Sequence, residues 1–367
     1  MSNMHVALWL AEDGVARNSV RVIHDGQAAS GAYVASPSFS QYGYGWLRDG
    51  AFCALAMEAV GDAVSAARFH DWVTTTVLRH KDMFVASTAS LLAGEVPAMS
   101  SLPPTRYQLD GTLEPAHAEA WPNFQLDGYG TWLCALASSG LATDSTRTAV
   151  RLVADLLAAS WAHPCFDCWE EGGDQVHGST LVAVAGGLLA AAQMLGDDGI
   201  AAVAAEVIDR IGRDFVLDGS LCKLAGDDRV DASLAWAAVP HGTFASDDPL
   251  VLRTVDRIVE DLGAPGIRRY LGDSYFGGGD WVLLTGLVAW QDAMAGRRDR
   301  WASAMQWMRG TATAEGWLPE QTLDRVQFPD FIEPWEQRWG TVATPLLWSH
   351  AMYLLAGAQG ARNAWSF

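Results

Sequence analysis

The chain has 367 residues, half of them hydrophobic, and its 43 acidic and 24 basic side chains give a formal net charge of −19. So much apolar sequence excludes a disordered chain and supplies a large core, while the negative charge opposes binding to nucleic acid and to anionic membrane surfaces. No Pro/Ser-rich linker or shift of composition interrupts the sequence, so one domain over residues 1–367 is the expectation.

The opening stretch MSNMHVALWLAEDG lacks a basic segment followed by an apolar run, so no export signal is expected. Helical periodicity then predicts twelve helices, near residues 11–26, 49–60, 62–80, 124–139, 145–160, 179–195, 198–216, 230–238, 247–262, 280–295, 298–309 and 344–357. The segment Asp247–Leu262 opens with Asp caps and Pro249 in its first turn, and sets Leu252, Val255, Val259 and Leu262 on one stripe. Ser179–Leu195, Asp280–Met294 and Thr344–Gly357 are instead apolar nearly all round, so neighbours must cover them on most sides. The longest apolar stretch, Leu181–Ala192, is too short to cross a bilayer.

All-apolar and amphipathic helices alternate, as an inner ring wrapped by an outer ring requires. Link lengths alternate too. The long links, roughly 27–48, 81–123, 161–178, 217–229, 263–279 and 310–343, would share one rim in an up–down arrangement. The expected fold is all-α, an (α/α)6 barrel.

Five cysteines, an odd number, with no export signal point to a reduced, cytoplasmic protein. Cys165 and Cys168 form a lone C-x-x-C with no second pair, so no metal is expected. Seventeen Trp outnumber both Phe and Tyr. Some of them pack the core, but an indole also offers a flat apolar face and one donor, a surface suited to sugar rings. With an acidic balance and no cofactor motif, the composition leans toward carbohydrate.

Five blocks in the long links carry chemistry. YGYGWLRDG (Tyr42–Gly50) sets aromatics, Arg48 and Asp49 just before a helix. The pair fits two roles, gripping sugar hydroxyls or forming a structural ion pair with an N-cap. WPNFQLDGYGTW (Trp121–Trp132) is weak alone, since Asp127 can simply cap a helix. DCWEEGGDQVHGST (Asp167–Thr180) holds adjacent Glu170 and Glu171 after Trp169 in a Gly-rich loop. A carboxyl against an indole loses solvation and its pKa rises, as a general acid at neutral pH requires. A solvated acidic loop is the competing reading. His177, close by, suits loop ordering better than catalysis. RRYLGDSYFGGGDW (Arg268–Trp281) mixes Arg, Asp and aromatics, and its glycines follow no strand, so a phosphate loop is not supported. WLPEQ (Trp317–Gln321) places Glu320 in an aromatic loop, and IEPWEQRW (Ile332–Trp339) offers Glu333 and Glu336 as competitors.

Taken in order, these blocks resemble glycoside hydrolase family fifteen, the glucoamylase-like enzymes, over most of the chain from Tyr42 to Trp348. The resemblance implies an (α/α)6 barrel and an inverting exo-α-glucosidase that needs no cofactor. By the same resemblance Glu170 is the general acid, and Glu320, in its E-Q pair before PLLWS, is the base. Tyr42 and Trp46 would floor the glucose subsite. Arg48 and Asp49 would bind the terminal glucose, with Trp121, Trp169, Glu171, Arg269, Asp273, Trp281 and Trp348 as further substrate contacts. Neither the N-terminal β-sandwich nor the starch-binding domain found in some relatives is expected here. Residues 324–342 are long for the family and are expected to narrow the pocket beyond the second sugar. The expected substrate is therefore a short soluble oligosaccharide, α-1,6-linked isomaltose first, with α-1,4 bonds and trehalose as alternatives. A non-catalytic sugar-binding barrel would not need both glutamates, and an epimerase of this barrel class would need a His pair. His350 lies within an apolar helix, where a core role is expected.

Overall fold

The computed structural model describes residues 2–95, 97–115 and 123–365. Among these residues are fourteen α-helices: α1 (Ser2–Glu12), α2 (Gly14–Asp25), α3 (Leu47–Ala59), α4 (Ala63–Arg79), α5 (Lys81–Leu92), α6 (Asp127–Ser139), α7 (Asp144–Ser160), α8 (Gly178–Leu195), α9 (Asp198–Asp214), α10 (Pro249–Leu262), α11 (Val282–Met294), α12 (Arg298–Gly310), α13 (Ile332–Trp339) and α14 (Leu347–Arg362). An inner ring runs α3, α6, α8, the 3-10 segment Ala232–Ala237, α11 and α14, and closes from α14 back onto α3. Around it α2, α4, α7, α9, α10 and α12 pack as an outer layer. This is the (α/α)6 arrangement expected from the alternation of patterns.

Local sequence explains the boundaries. Asp248 caps α10 by accepting the Leu250 N–H at 2.8 Å, and Pro249 occupies the first turn, where its missing donor costs nothing. The buried stripe of α10 is Val251, Thr254, Val255, Ile258 and Leu262, so the face is rotated from the expected one and Leu252 and Val259 are only half-buried. Gly196 ends α8 in the left-handed conformation that follows many helices. The eighth predicted helix is a 3-10 segment rather than an α-helix. Pro240 follows closely and its ring restricts the preceding residue, which prevents elongation. Helices α1, α5 and α13 were not expected. Their apolar stripes are weak: α5 buries only Phe84, Ser87 and Leu91, and α13 buries none of its residues.

Helix α8 extends beyond the expected Leu181–Ala192 stretch at both ends and, at 18 residues, is long and apolar enough to cross a membrane. Two-thirds of it is buried inside the barrel, 67%. Packing against α6, α7 and α9 and the 3-10 segment accounts for that composition.

Three two-residue ladders stitch the links together: β1 (Gly45–Trp46) with β2 (Arg106–Tyr107), β3 (Val216–Leu217) with β4 (Ser220–Leu221), and β5 (Asp280–Trp281) with β6 (Gln321–Thr322), all antiparallel. The first sets Trp46 opposite Arg106, and the third sets Trp281 opposite Gln321, beside Glu320.

Glycine lets inner helices approach closely. A Cβ on Gly130 of α6 would lie 2.2 Å from the Ala183 carbonyl oxygen of α8. Gly212 in α9 faces open space. Gly130→Ala is therefore expected to destabilise the fold by about 1–3 kcal/mol or more through overpacking, whereas Gly212→Ala is expected to stabilise it by about 0.5–1 kcal/mol. Thermal unfolding of the two variants checks the contrast, and a tolerated Gly130→Ala would contradict this packing.

Candidate active site

Thirteen residues were expected at the site. Trp121 lies outside the described residues. The other twelve all line one cavity of about 610 Å3, a volume usual for a small-molecule site. They come from four of the six long links together with the starts of α3 and α14 and Trp281 just before α11.

The segment before α3 reaches both glutamates. Tyr42 donates its hydroxyl to Glu320 Oε1 at 2.9 Å, and Trp46 donates its indole N–H to Glu170 Oε1 at 3.0 Å. The two rings meet edge to face, 5.7 Å between centroids. Tyr275 adds a hydroxyl 3.0 Å from that of Tyr42. Glu170 and Glu320 thus hang from two rings four residues apart in sequence.

Glu320 is 3% exposed, and its Oε2 has no hydrogen-bond partner among the described residues. Burial pushes its carboxyl up to about 7; Asp49 adds to the rise, while the hydroxyls of Tyr42 and Tyr275 and the charge of Arg269 oppose it. The rival carboxylates are elsewhere. Glu333 is exposed and accepts from Gln337, and Glu336 faces a separate pocket beside Pro319 and Gln321.

Glu170 stands in a tight turn built by Asp167. Asp167 Oδ1 accepts the N–H groups of Trp169 and Glu171 at 2.9 and 3.0 Å, and its carbonyl accepts that of Glu170 at 3.0 Å. The turn holds Glu170 at φ 67°, a left-handed conformation that costs a non-glycine residue and that clusters at functional sites. The Trp169 indole N–H is committed to Asp231, at 2.9 and 3.0 Å, so only its ring serves the cavity. Glu171 accepts from the Tyr270 hydroxyl and lies 3.6 Å from Arg269; burial raises its carboxyl, against the pull of Arg269. His177 is bonded to the Gly172 carbonyl at 2.9 Å, which is the loop-ordering role expected for it.

Arg48 takes the structural role that the sequence left open, in buried ion pairs, while also lining the cavity. Its Nη1 bonds Gln125 at 2.8 Å and Asp127 at 3.0 Å, and its guanidinium lies 5.2 Å over the Trp348 ring. Its Nε, 3.5 Å from Asp49 Oδ2, has no hydrogen-bond partner among the described residues, and neither does that Asp49 oxygen. Burial pushes Asp49 up to about 6, against the Arg48 charge. Asp127 opens α6 as expected but spends its carboxylate on Arg48 instead of a cap. Across the cavity, Arg269 binds both oxygens of Asp273, with 2.8 Å from Nε, and is enclosed by Trp169, Tyr270, Tyr275 and Trp281 at 5.0–5.5 Å. The indole nitrogens of Trp281 and Trp348 are also buried without partners among the described residues. The cavity therefore presents donors and acceptors that a polyhydroxylated ligand can satisfy, over flat apolar rings.

Sequence reasoning passed over several residues. Tyr275 lay inside a quoted block but carried no distinguishing signal. Gln125, Asp167 and Asp231 act on the site through other side chains. Arg106 and Glu114, paired at the cavity wall beneath Tyr44, come from a part of link 81–123 that no motif covered. His350 accepts the Leu318 N–H at 3.0 Å and bonds Ser19 at 2.8 Å, a buried core role; among the described lining residues there is no histidine.

A helical barrel whose rim holds two carboxylates among indoles, with guanidinium groups at either side, has the equipment of a sugar-cleaving enzyme. The chain belongs to the glycosyl hydrolases family 15, whose family model matches residues 10–307. It is 40% identical over 353 residues to the isomaltose glucohydrolase of Kribbella flavida, covering 93% of this chain and 91% of that protein. A wild-type glycosidase of known structure, 39% identical, superposes with a TM-score of 0.90 and covers 94% of this chain and 95% of its own. A glycosidase variant in complex with glucose, 38% identical, also gives 0.90, covering 95% and 96%.

The raised Glu320 pKa carries a stability signature. Unfolded, the carboxyl titrates near 4.5; folded, near 7. Below the lower value both states are protonated and nothing is lost. As pH rises through the interval, the folded state must hold a proton that the unfolded state has released, so stability falls. Glu320→Gln removes this penalty. It is expected to exceed the wild type in stability at about pH 8 by on the order of 3 kcal/mol, with the gain vanishing at about pH 4. Denaturant unfolding at both pH values checks it, and an equal difference at both would contradict it.

Proposed function

We propose that this protein is an inverting exo-α-glucosidase acting on short α-gluco-oligosaccharides, isomaltose first, and releasing β-glucose. The observation that carries the reading is the pair of glutamates facing one cavity, each held by a separate ring of the same short segment, Glu170 by Trp46 and Glu320 by Tyr42. The terminal glucose lies against the Tyr42 and Trp46 rings, with Arg48 and Asp49 on its hydroxyls. Arg269 and Glu171 reach the next sugar. Glu170 donates its proton to the glycosidic oxygen as the bond to the anomeric carbon breaks. Glu320 takes a proton from a water that attacks that carbon from the opposite face. Its raised pKa makes it a competent base near neutral pH once ionised.

A short substrate fits the cavity wall. Helix α13 brings Trp335, Arg338 and Trp339 to the cavity, and Trp335 is pinned by its indole N–H to the Ser274 carbonyl at 3.1 Å. The isomaltose activity named for the Kribbella relative supports the α-1,6 choice. All five cysteines are free thiols, which supports work in a reducing compartment such as the cytoplasm.

Proton NMR during the first minutes of isomaltose cleavage tests the stereochemistry. The β-anomer of glucose is expected first, with α-glucose arising only by mutarotation; initial α-glucose would overturn inversion. In a chain-length series, kcat/KM is expected to peak at a di- or trisaccharide and fall for dextran. Trp335→Ala with Trp339→Ala is expected to flatten that fall, and a wild-type preference for the polymer would contradict the role given to α13.

A further inference from the structure

Of the 24 basic residues in this chain only two are lysines, Lys81 and Lys223; every other cation is an arginine. Lys223 sits in the long link 217–229, where the sequence showed no motif, and it does not line the cavity. It stands directly behind the loop that carries Glu170. Its ammonium lies 2.7 Å from Asp231 Oδ2 and 3.1 Å from Asp167 Oδ2, and 4.0 Å from the centre of the Tyr270 ring. Its backbone is tied to the same loop, since the Lys223 carbonyl accepts the Gly178 N–H at 2.9 Å and Leu224 bridges His177.

Each partner of this ammonium leads to the cavity. Asp167 Oδ1 holds the turn that keeps Glu170 at φ 67°. Asp231 fixes the Trp169 indole, whose ring lines the cavity. Tyr270 donates to Glu171. A compact ammonium can sit between two carboxylates and over a ring where a planar guanidinium fork would not fit as well. Removing the charge would leave Asp167 and Asp231, 2% exposed each, as buried carboxylates without their shared cation. The turn is then free to relax its strained residue, which is Glu170.

We propose that Lys223 is a positioning residue for the acid, setting Glu170 through Asp167 and the indole of Trp169 through Asp231. The inference rests on the reading of Glu170 as the acid, and the test separates the two. A misplaced acid harms a substrate whose leaving group needs a proton, and harms much less one whose leaving group departs unaided. Kinetics of Lys223→Met, Asp231→Asn and Glu170→Gln are compared on isomaltose and on α-glucosyl fluoride, with circular dichroism to confirm folding. The Asp231→Asn variant keeps an oxygen for Trp169 while halving the clamp, and carries the test if Lys223→Met does not fold.

For Lys223→Met, kcat on isomaltose is expected to fall on the order of a hundredfold with KM little changed, while turnover of the fluoride falls far less. Asp231→Asn is expected to show the same pattern more weakly. If Glu170→Gln shows the leaving-group split and the folded Lys223 and Asp231 variants lose both substrates equally, or lose neither, the positioning role is wrong. If Glu170→Gln shows no split, the acid assignment itself fails, and the proposal with it.

Discussion

Two hydrogen bonds from one five-residue segment set the geometry on which the site depends. Tyr42 reaches Glu320 and Trp46 reaches Glu170. Their rings pack edge to face, so neither donor can shift without moving the other. Such coupling matters because acid–base chemistry tolerates little error in the placement of its proton carriers. The segment is itself fixed, by the ladder that pairs Gly45 and Trp46 with Arg106 and Tyr107 and by the Leu47 N–H bonded to the Thr105 carbonyl at 3.0 Å.

The barrel supplies the rigid base for this arrangement. Six buried inner elements end at one rim, and the chain leaves them through links long enough to fold over the opening. The third ladder joins two of those links and fixes Glu320 from behind: its carbonyl accepts the Val282 N–H at 3.1 Å and its own N–H bonds the Ala343 carbonyl at 2.9 Å. Glu170 is fixed differently, by a strained turn that side chains from a neighbouring link hold in place. One carboxylate is set by backbone pairing and the other by a buried polar network, so they are expected to differ in how far a single substitution can move them.

Much of this was legible in the sequence because the inner helices must be apolar on every side and the outer ones on one stripe. That contrast exposed the ring, and the alternation of link lengths exposed the rim. The motifs were legible where reacting or stacking side chains cluster along the chain, as in Tyr42–Gly50 and Asp167–Thr180. Partners brought together only by folding were not. Gln125 and Asp127 hold Arg48 from about 80 residues away, and Lys223 holds Asp167 from a link with no pattern of its own. The stripe of α10 was read partly displaced, with Val255 and Leu262 right, because Leu252 and Val259 are apolar yet half-buried. Helices α5 and α13 were missed because neither buries a stripe wide enough to mark the helical period.

The central claim is that Glu320 acts on a water rather than on the sugar. A crystal structure of Glu170→Gln with intact isomaltose tests it most directly. The account requires residues 170 and 320 to stand about 6.5–9.5 Å apart, with a water bonded to Glu320 and aimed at the face of the anomeric carbon opposite residue 170. A separation of about 5–5.5 Å, with a Glu320 oxygen against the anomeric carbon and no room for water, would contradict it.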